Sequence, residues 1–257
     1  MILALDVGNT NIVVGIGDTS ESMLRGRLTT NKNGTTTEYA IRLRSMMDLY
    51  GVSCDELEGA IISSVVPELT YALTNAVELL IKKPPIVVRH TLDTGLKICI
   101  DSPQTMGADR IVGSVAAMNQ YPLPLAVFDL GTANTMDVVD RNGCHQGGVI
   151  WAGIKTSLNA LAANASQLAH IEIEAPPNVI GKNTVDCMRS GLVIGNAAML
   201  DGLIDRVERE LGEKLTVVAT GGLAKAVISH CSHDFIYDED LIIKGLIIIY
   251  YRNVDKQ

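Results

Sequence analysis

The sequence predicts a duplicated α/β protein, and three observations carry that reading. The chain opens on "MILALDVGNT", an apolar strand that stops at Asp6 and passes into Gly8, Asn9 and Thr10. Further on, "LAVFDLGTANT" repeats the arrangement at Asp129, Gly131, Thr132 and Thr135. Each of these turns heads its own run of strand-like and helix-like segments, so one α/β unit used twice is the economical interpretation. With 257 residues, 47% of them hydrophobic, the chain is long enough to bury the cores this requires. The expected division is residues 1–117 and residues 118–257.

Taken in order, "MILALDVGNTNIVVGIGD" reads as strand, tight turn, strand, because β-branched and apolar residues flank a Gly/Asn/Thr cluster. "TEYAIRLRSMMDLYG" has helical spacing and stops at Gly51. "GAIISSVV" is a buried strand, and Pro67 is well placed to open the helix "ELTYALTNAVELLIKK", whose lysines suit a helix C-terminus. "PIVVRH" is a short strand. The turn-rich "DSPQTMGADR" precedes a small-residue helix, "IVGSVAAMNQY", and then "LPLAVFDLGTANTMDVVDRNGCHQGGVI" alternates strand and turn. A long helix follows at "GLVIGNAAMLDGLIDRVEREL". The strand "LTVVAT", the pair Gly221 and Gly222, and a last helix close the chain.

Composition narrows the function. Lys+Arg 21 against Asp+Glu 29 gives a net charge of -8, which leaves no basic stripe for nucleic acid. The five cysteines are odd in number, widely spaced and never arranged as C-x-x-C, so they suggest neither a disulfide framework nor a zinc site and fit a reducing cytoplasm. The apolar stretch "LIIKGLIIIYY" is too short to span a membrane and carries Lys244, so it reads as a closing core element.

The two acidic turns suggest the chemistry. Glycine at a strand end lets backbone approach a ligand, and neighbouring Thr and Asn supply donors for phosphate oxygens. An aspartate there repels phosphate unless a cation lies between them, so the combination fits metal-bound polyphosphate. Asp, Asn and Gly also cap ordinary hairpins, and one such turn alone leaves that reading open. The second copy shifts the balance toward function. Neither a G-x-x-x-x-G-K-[ST] loop nor Rossmann glycine spacing competes. His230, Cys231 and His233 look faintly metal-like, but they sit in a polar stretch without matching carboxylates and read as surface.

The motifs "DVGNT", "GADR", "DLGTANT", "GGVI", "GKNT" and "TGG" occur in the order and approximate spacing of type III pantothenate kinases, and the chain resembles that family over nearly its whole length. The resemblance implies two ribonuclease H-like domains of the actin-like ATPase fold with ATP in the cleft between them. It implies a homodimer that phosphorylates pantothenate with ATP, in the first step of coenzyme A biosynthesis, and that needs magnesium and a monovalent cation, potassium or ammonium. By resemblance ATP binds Asp6, Val7, Gly8, Asn9, Thr10, Asn11, Ile12 and Val13, together with Thr132, Gly221 and Gly222. Asp6 orients magnesium through water, and Asp129 binds potassium. Gly107, Ala108, Asp109 and Arg110 line the pantothenate site with Asp109 as general base, and Thr184 reaches pantothenate. For Ile12 and Val13 only backbone contacts are expected, their side chains being suited to strand packing.

Four features depart from the family pattern. Ile100 stands where a tyrosine is usual, Ala152 replaces the proline of "GGxIxPG", "NASQLAH" stands for the usual "TAxLP", and Asn134 is unusual in its turn. All carboxylates with expected roles are retained. The altered pocket leaves open a catalytically weak paralogue that binds regulatory partners, or a superfamily kinase for another small alcohol.

Overall fold

Strand β1 (Ile2–Val7) pairs antiparallel with β2 (Asn11–Gly17) across the Gly8–Thr10 turn, and β2 pairs antiparallel with β3 (Leu24–Thr29). These strands belong to a computed structural model that describes residues 1–18 and 23–254. The chain continues as α1 (Thr36–Leu49), β4 (Gly59–Ser64), α2 (Pro67–Ile81), the two-residue strands β5 (Ile86–Val87) and β6 (Lys97–Ile98), and α3 (Ala108–Gln120). In the first unit the sheet order is β3-β2-β1-β4-β5, with β4 parallel to β1 and β5 parallel to β4.

The termini of these helices follow from local chemistry. Thr35 and Glu38 form a reciprocal capping box that starts α1. Pro67 occupies the first turn of α2, where a missing N–H costs nothing, and Lys82 ends that helix in the left-handed region at φ 58°. The Lys82 ammonium donates to the Leu79 carbonyl at 2.7 Å, as the helix dipole favours.

The second unit repeats the plan. It contains β7 (Leu125–Leu130), β8 (Ala133–Val139), β9 (Cys144–Ala152), α4 (Ile154–Asn164), α5 (Thr184–Arg189), α6 (Gly195–Leu211), β10 (Thr216–Thr220), α7 (Ala224–Ile228) and β11 (Ile236–Tyr237). β7, β8 and β9 form an antiparallel meander, while β10 lies parallel to β7 and β11 parallel to β10. The strands β9-β8-β7-β10-β11 thus match β3-β2-β1-β4-β5 in order and direction. Duplication is visible in topology as well as in the two turns.

Period-two alternation splits each sheet into two faces. In the first unit Leu3, Leu5, Val7, Ile12, Val14, Ile16, Ala60 and Ile62 share one core with Leu43, Met47, Leu69, Leu73 and Val77 of α1 and α2. The opposite face carries Ile2, Ala4 and Asp6. It is covered by α3 and by the last helix, α8 (Leu241–Val254), which pack against each other and against β4.

That last contact corrects the expected division. The compact units are Met1–Gln120 with the segment from Asp240 onward, and Tyr121–Glu239. The expected boundary after residue 117 falls inside α3, and the closing helix belongs to the first unit rather than the second. The physical reason is complementary relief. Gly245 of α8 meets the backbone of Val112 so closely that a Cβ would overlap it, and Gly15 and Gly59 leave room for Ile243 and Tyr250. Leu241, Ile243, Leu246, Ile247 and Ile249 are all buried. Burying each such side chain is worth about 1.5–3 kcal/mol.

Other boundaries moved too. The helix expected from Ile111 begins at Ala108, because the Gly107 carbonyl already accepts the Ile111 N–H at 3.2 Å. Only Ile86–Val87 of "PIVVRH" is strand. β3 and α4 were not anticipated. The long helix at 191–211 is α6 preceded by a π-turn, Ser190–Ile194, which joins it to α5.

Candidate active site

The first acidic turn is built at the end of β1. Gly8 N–H donates to the Asn11 carbonyl at 3.0 Å, which closes the turn and leaves Asn9 and Thr10 exposed. A residue outside the motif holds it: Thr30, just past β3, donates its hydroxyl to the Gly8 carbonyl at 2.7 Å and its N–H to the Thr10 carbonyl at 3.0 Å. Thr30 was missed because β3 was missed, although the alternation of Leu24, Gly26 and Leu28 with Arg25 and Arg27 signals such a strand. Asp6 is half-buried and lies opposite Val13 on β2 and Ser63 on β4. Ile12 is fully buried in the core, so its side chain packs as expected for a strand residue.

The "GADR" segment lies in the same unit. The turn and this segment meet through Val65: its N–H donates to the Val7 carbonyl at 3.1 Å, and its Cγ1 lies 3.8 Å from where a Cβ on Gly107 would stand. The same hypothetical Cβ would come within 2.5 Å of the Asp109 carboxylate, so a side chain at 107 would push that carboxylate from its position. Asp109 and Arg110 occupy the first turn of α3 rather than the loop expected from sequence. Asp109 Oδ1 accepts the Arg110 N–H at 2.8 Å, and a carboxylate at a helix N-terminus is stabilised by the unpaired N–H groups there. Both side chains are partly accessible, and Ala108 is buried.

In the second unit Asp129 ends β7 as Asp6 ends β1. It stands opposite Thr135 on β8 and Thr220 on β10. Gly221 follows Thr220 at φ 100°, and a Cβ on it would stand 2.8 Å from Asp129 Oδ1 and 2.6 Å from the Leu130 carbonyl. Gly221 is therefore packed directly against the Asp129 carboxylate and the Leu130 backbone, with no room for a side chain. Gly222 faces open space. Thr132 is exposed at the tip of the turn, and its carbonyl accepts from Gly153 N–H at 3.1 Å and from the Thr156 hydroxyl at 2.6 Å. Neither Gly153 nor Thr156 was singled out from sequence.

Thr184 is exposed in the first turn of α5, immediately after Asn183, whose side chain caps the helix by accepting the Asp186 N–H at 2.9 Å. Asn134 is buried at 1% exposure, and its carboxamide donates toward Asn196. Ile100 is half-buried, and Ala152 is exposed at the end of β9. His233 is engaged by Asp205 and Asp201. Among the described residues no group of three or more His, Cys, Asp or Glu side chains is arranged to hold a metal ion. Among them, too, no helix is long and apolar enough to cross a membrane.

Comparison with known proteins agrees with this arrangement. The family model described as type III pantothenate kinase matches residues 2–206. A type III pantothenate kinase of Exiguobacterium sp. (strain ATCC BAA-1283 / AT1b) is 42% identical over 253 residues, covering 98% of this chain and 99% of that protein. Among solved structures, a conserved putative Baf family transcriptional activator from Campylobacter jejuni superposes with a TM-score of 0.64 at 18% identity, covering 98% of this chain and 99% of the other. Component A of the (R)-2-hydroxyglutaryl-CoA dehydratase of Acidaminococcus fermentans gives 0.59 at 14%, with 97% and 96% covered. At these identities the two structures speak to fold alone, and that fold is the duplicated ribonuclease H-like architecture of actin-like ATPases.

Proposed function

The chain belongs to the type III pantothenate kinase family and catalyses ATP-dependent phosphorylation of pantothenate in coenzyme A biosynthesis; within that reaction we propose the following roles for its residues. Asp109 is the general base. Its position at the start of α3, linked through Val65 to the Asp6 turn, is the observation that carries this assignment. Phosphoryl transfer passes through a loose transition state, so the base mainly needs alignment with the attacking hydroxyl. Asp109 accepts the proton of the pantothenate primary hydroxyl as that oxygen bonds to the γ-phosphorus and ADP departs. Arg110 offers a planar fork of donors to the pantothenate carboxylate, with Gly107, Ala108 and Thr184 completing the substrate site.

The Asp6–Val13 segment holds ATP phosphates through its turn, Thr132 contacts ATP from the second turn, and Gly221 and Gly222 leave room on the adenosine side. Asp6 fits a magnesium ion held through water, being a half-buried carboxylate beside an exposed donor-rich turn. Magnesium, when bound, offsets the charge of the phosphates during transfer. Asp129 is the ligand for potassium or ammonium, a half-buried carboxylate at the end of β7 as Asp6 is at the end of β1. The protein acts as a cytoplasmic homodimer. Exposed Val179, Ile180 and Val185 flank Thr184 and supply the apolar surface that such association covers.

Asp109→Asn tests the central assignment. Turnover falls by a factor of about 10²–10⁴, the range a positioned general base contributes, while ATP binding measured by calorimetry is retained. Turnover within threefold of the unaltered protein removes Asp109 from the base role.

A further inference from the structure

We propose that Asn196 is a positioning residue for the nucleotide, acting through Trp151 and Asn134 to set the turn that carries Thr132. The inference rests on the assignment of that turn to ATP and goes beyond it by naming what holds the turn in place. Leu130, Asn134 and Trp151 form one transverse row across β7, β8 and β9, the last paired row before the turn. Neighbouring residues on a strand face opposite sides, so this row points away from the Asp129 face and into the core that holds Leu130 and packs against Trp151.

An asparagine amide in such a place is costly. Asn134 is 1% exposed, and a buried amide without partners costs about 1–3 kcal/mol. Asn196 meets that need from α6. Its Oδ1 accepts the Trp151 indole N–H at 3.1 Å and faces the Asn134 amide at 3.5 Å, while its own amide donates to the Leu192 carbonyl at 2.8 Å. Leu192 lies in the π-turn Ser190–Ile194, where the bonding pattern has shifted by one residue and the Gly195 N–H reaches back to Ser190. The extra residue in that turn sets the rotation at which α6 presents Asn196. Trp151 is held on a second side by Phe128, edge to face at 6.5 Å between ring centroids, and Phe128 immediately precedes Asp129.

The turn is thus gripped from both directions. Gly153 and Thr156 fix the Thr132 carbonyl from above, and the amide–indole cluster fixes the row beneath it. Two of the residues that depart from the family pattern lie here: Asn134 is part of the cluster, and Ala152, which lacks the stiffness of the usual proline, directly follows Trp151. The Asn196 contact supplies rigidity at that point.

The test uses the full chain and exploits Trp151 as its single tryptophan. Asn196→Ala raises the KM for ATP about fivefold to tenfold, leaves kcat and the KM for pantothenate within about twofold, and red-shifts the tryptophan emission. Asn196→Gln, which retains both the oxygen acceptor for Trp151 and the amide donor for the Leu192 carbonyl, restores the KM for ATP to within about twofold. An unchanged KM for ATP in Asn196→Ala overturns the proposal, as does an equal loss across kcat and both KM values. If Asn196→Ala does not fold, Trp151→Phe decides, since it keeps an aromatic ring against Phe128 while removing the indole N–H together with the second ring; a KM for ATP within experimental error of the unaltered protein is again fatal. Titrating the unaltered protein with magnesium and ADP while following Trp151 emission separates the two levels. Nucleotide binding without pantothenate turnover overturns the kinase roles and leaves the positioning claim standing. Normal turnover with an indifferent Asn196→Ala does the reverse.

Discussion

Replacing Gly221 by alanine probes the packing beside Asp129 with one carbon atom. At φ 100° the backbone occupies a region that L side chains rarely adopt, and the new Cβ meets the Leu130 carbonyl at 2.6 Å, the Leu130 nitrogen at 2.7 Å and Asp129 Oδ1 at 2.8 Å. Two of these atoms are backbone of β7, paired with β10 through Asp129 and Thr220, so they cannot swing aside as a flexible side chain would. Strain at such a dihedral and overpacking against a fixed strand each cost about 1–3 kcal/mol, and together about 3 kcal/mol is expected. For a protein of this size that lowers the melting temperature by roughly 6–12 °C, measurable by calorimetry. The Asp129 carboxylate is the one movable neighbour, so it gives way and the proposed cation ligand is displaced. Kinase rates titrated with potassium should then show half-activation at a concentration about tenfold higher, equivalent to 1.4 kcal/mol of lost cation binding. A variant that melts within about 1 °C of the parent and keeps its potassium response refutes both the steric argument and the assignment of Asp129.

Two further outcomes are accessible. Thr30→Val removes the hydroxyl bond to the Gly8 carbonyl without changing side-chain shape, a loss of about 1 kcal/mol that should appear as a twofold to fivefold rise in the KM for ATP; Thr30→Ser should retain the parent value, and an unaffected valine variant means Thr30 does not hold the turn. Asp140→Asn tests a pH dependence. Burial acts to raise the Asp140 pKa, but the N–H groups of Cys144 and Asn142 and the Gln146 amide outweigh it and hold the carboxyl below its usual value. A depressed folded pKa gives stability that is present above the unfolded carboxylate pKa and is lost as pH falls through the folded value. The asparagine variant should be less stable near neutral pH and show a flatter acid limb below about pH 4 in urea titrations; parallel curves for both proteins exclude Asp140 as a contributor.

Much of the architecture was legible because its signals are local. The two Asp-x-Gly turns and Pro67 announce their elements within a few residues. What stayed hidden depends on contacts distant in sequence. Nothing near Thr30 reveals that it bonds to Gly8, and "IVGSVAAMNQY" does not show that its helix begins at Ala108, since that first turn is polar and lacks apolar spacing. The π-turn at Ser190–Ile194 has a purely helical composition. The closing helix read correctly as a core element and was assigned to the wrong half, because apolar character says how much must be buried and not against what. At the candidate site the acidic residues were identifiable from their turns, whereas Thr156, Gly153 and Asn196 act on carbonyls and amides whose whereabouts only the folded chain defines.

The seat of α8 bears on the order in which the molecule can be made. Residues 121–239 form an uninterrupted stretch and have all their own strands and helices available once that stretch leaves the ribosome. The amino-terminal half emerges earlier, yet one face of its sheet has only part of its cover, α3, until Leu241–Val254 has been synthesised. The portion translated first is therefore the portion completed last, and a nonsense codon within Leu241–Val254 strips the cover from the half that carries Asp6 and Asp109 while leaving residues 121–239 whole.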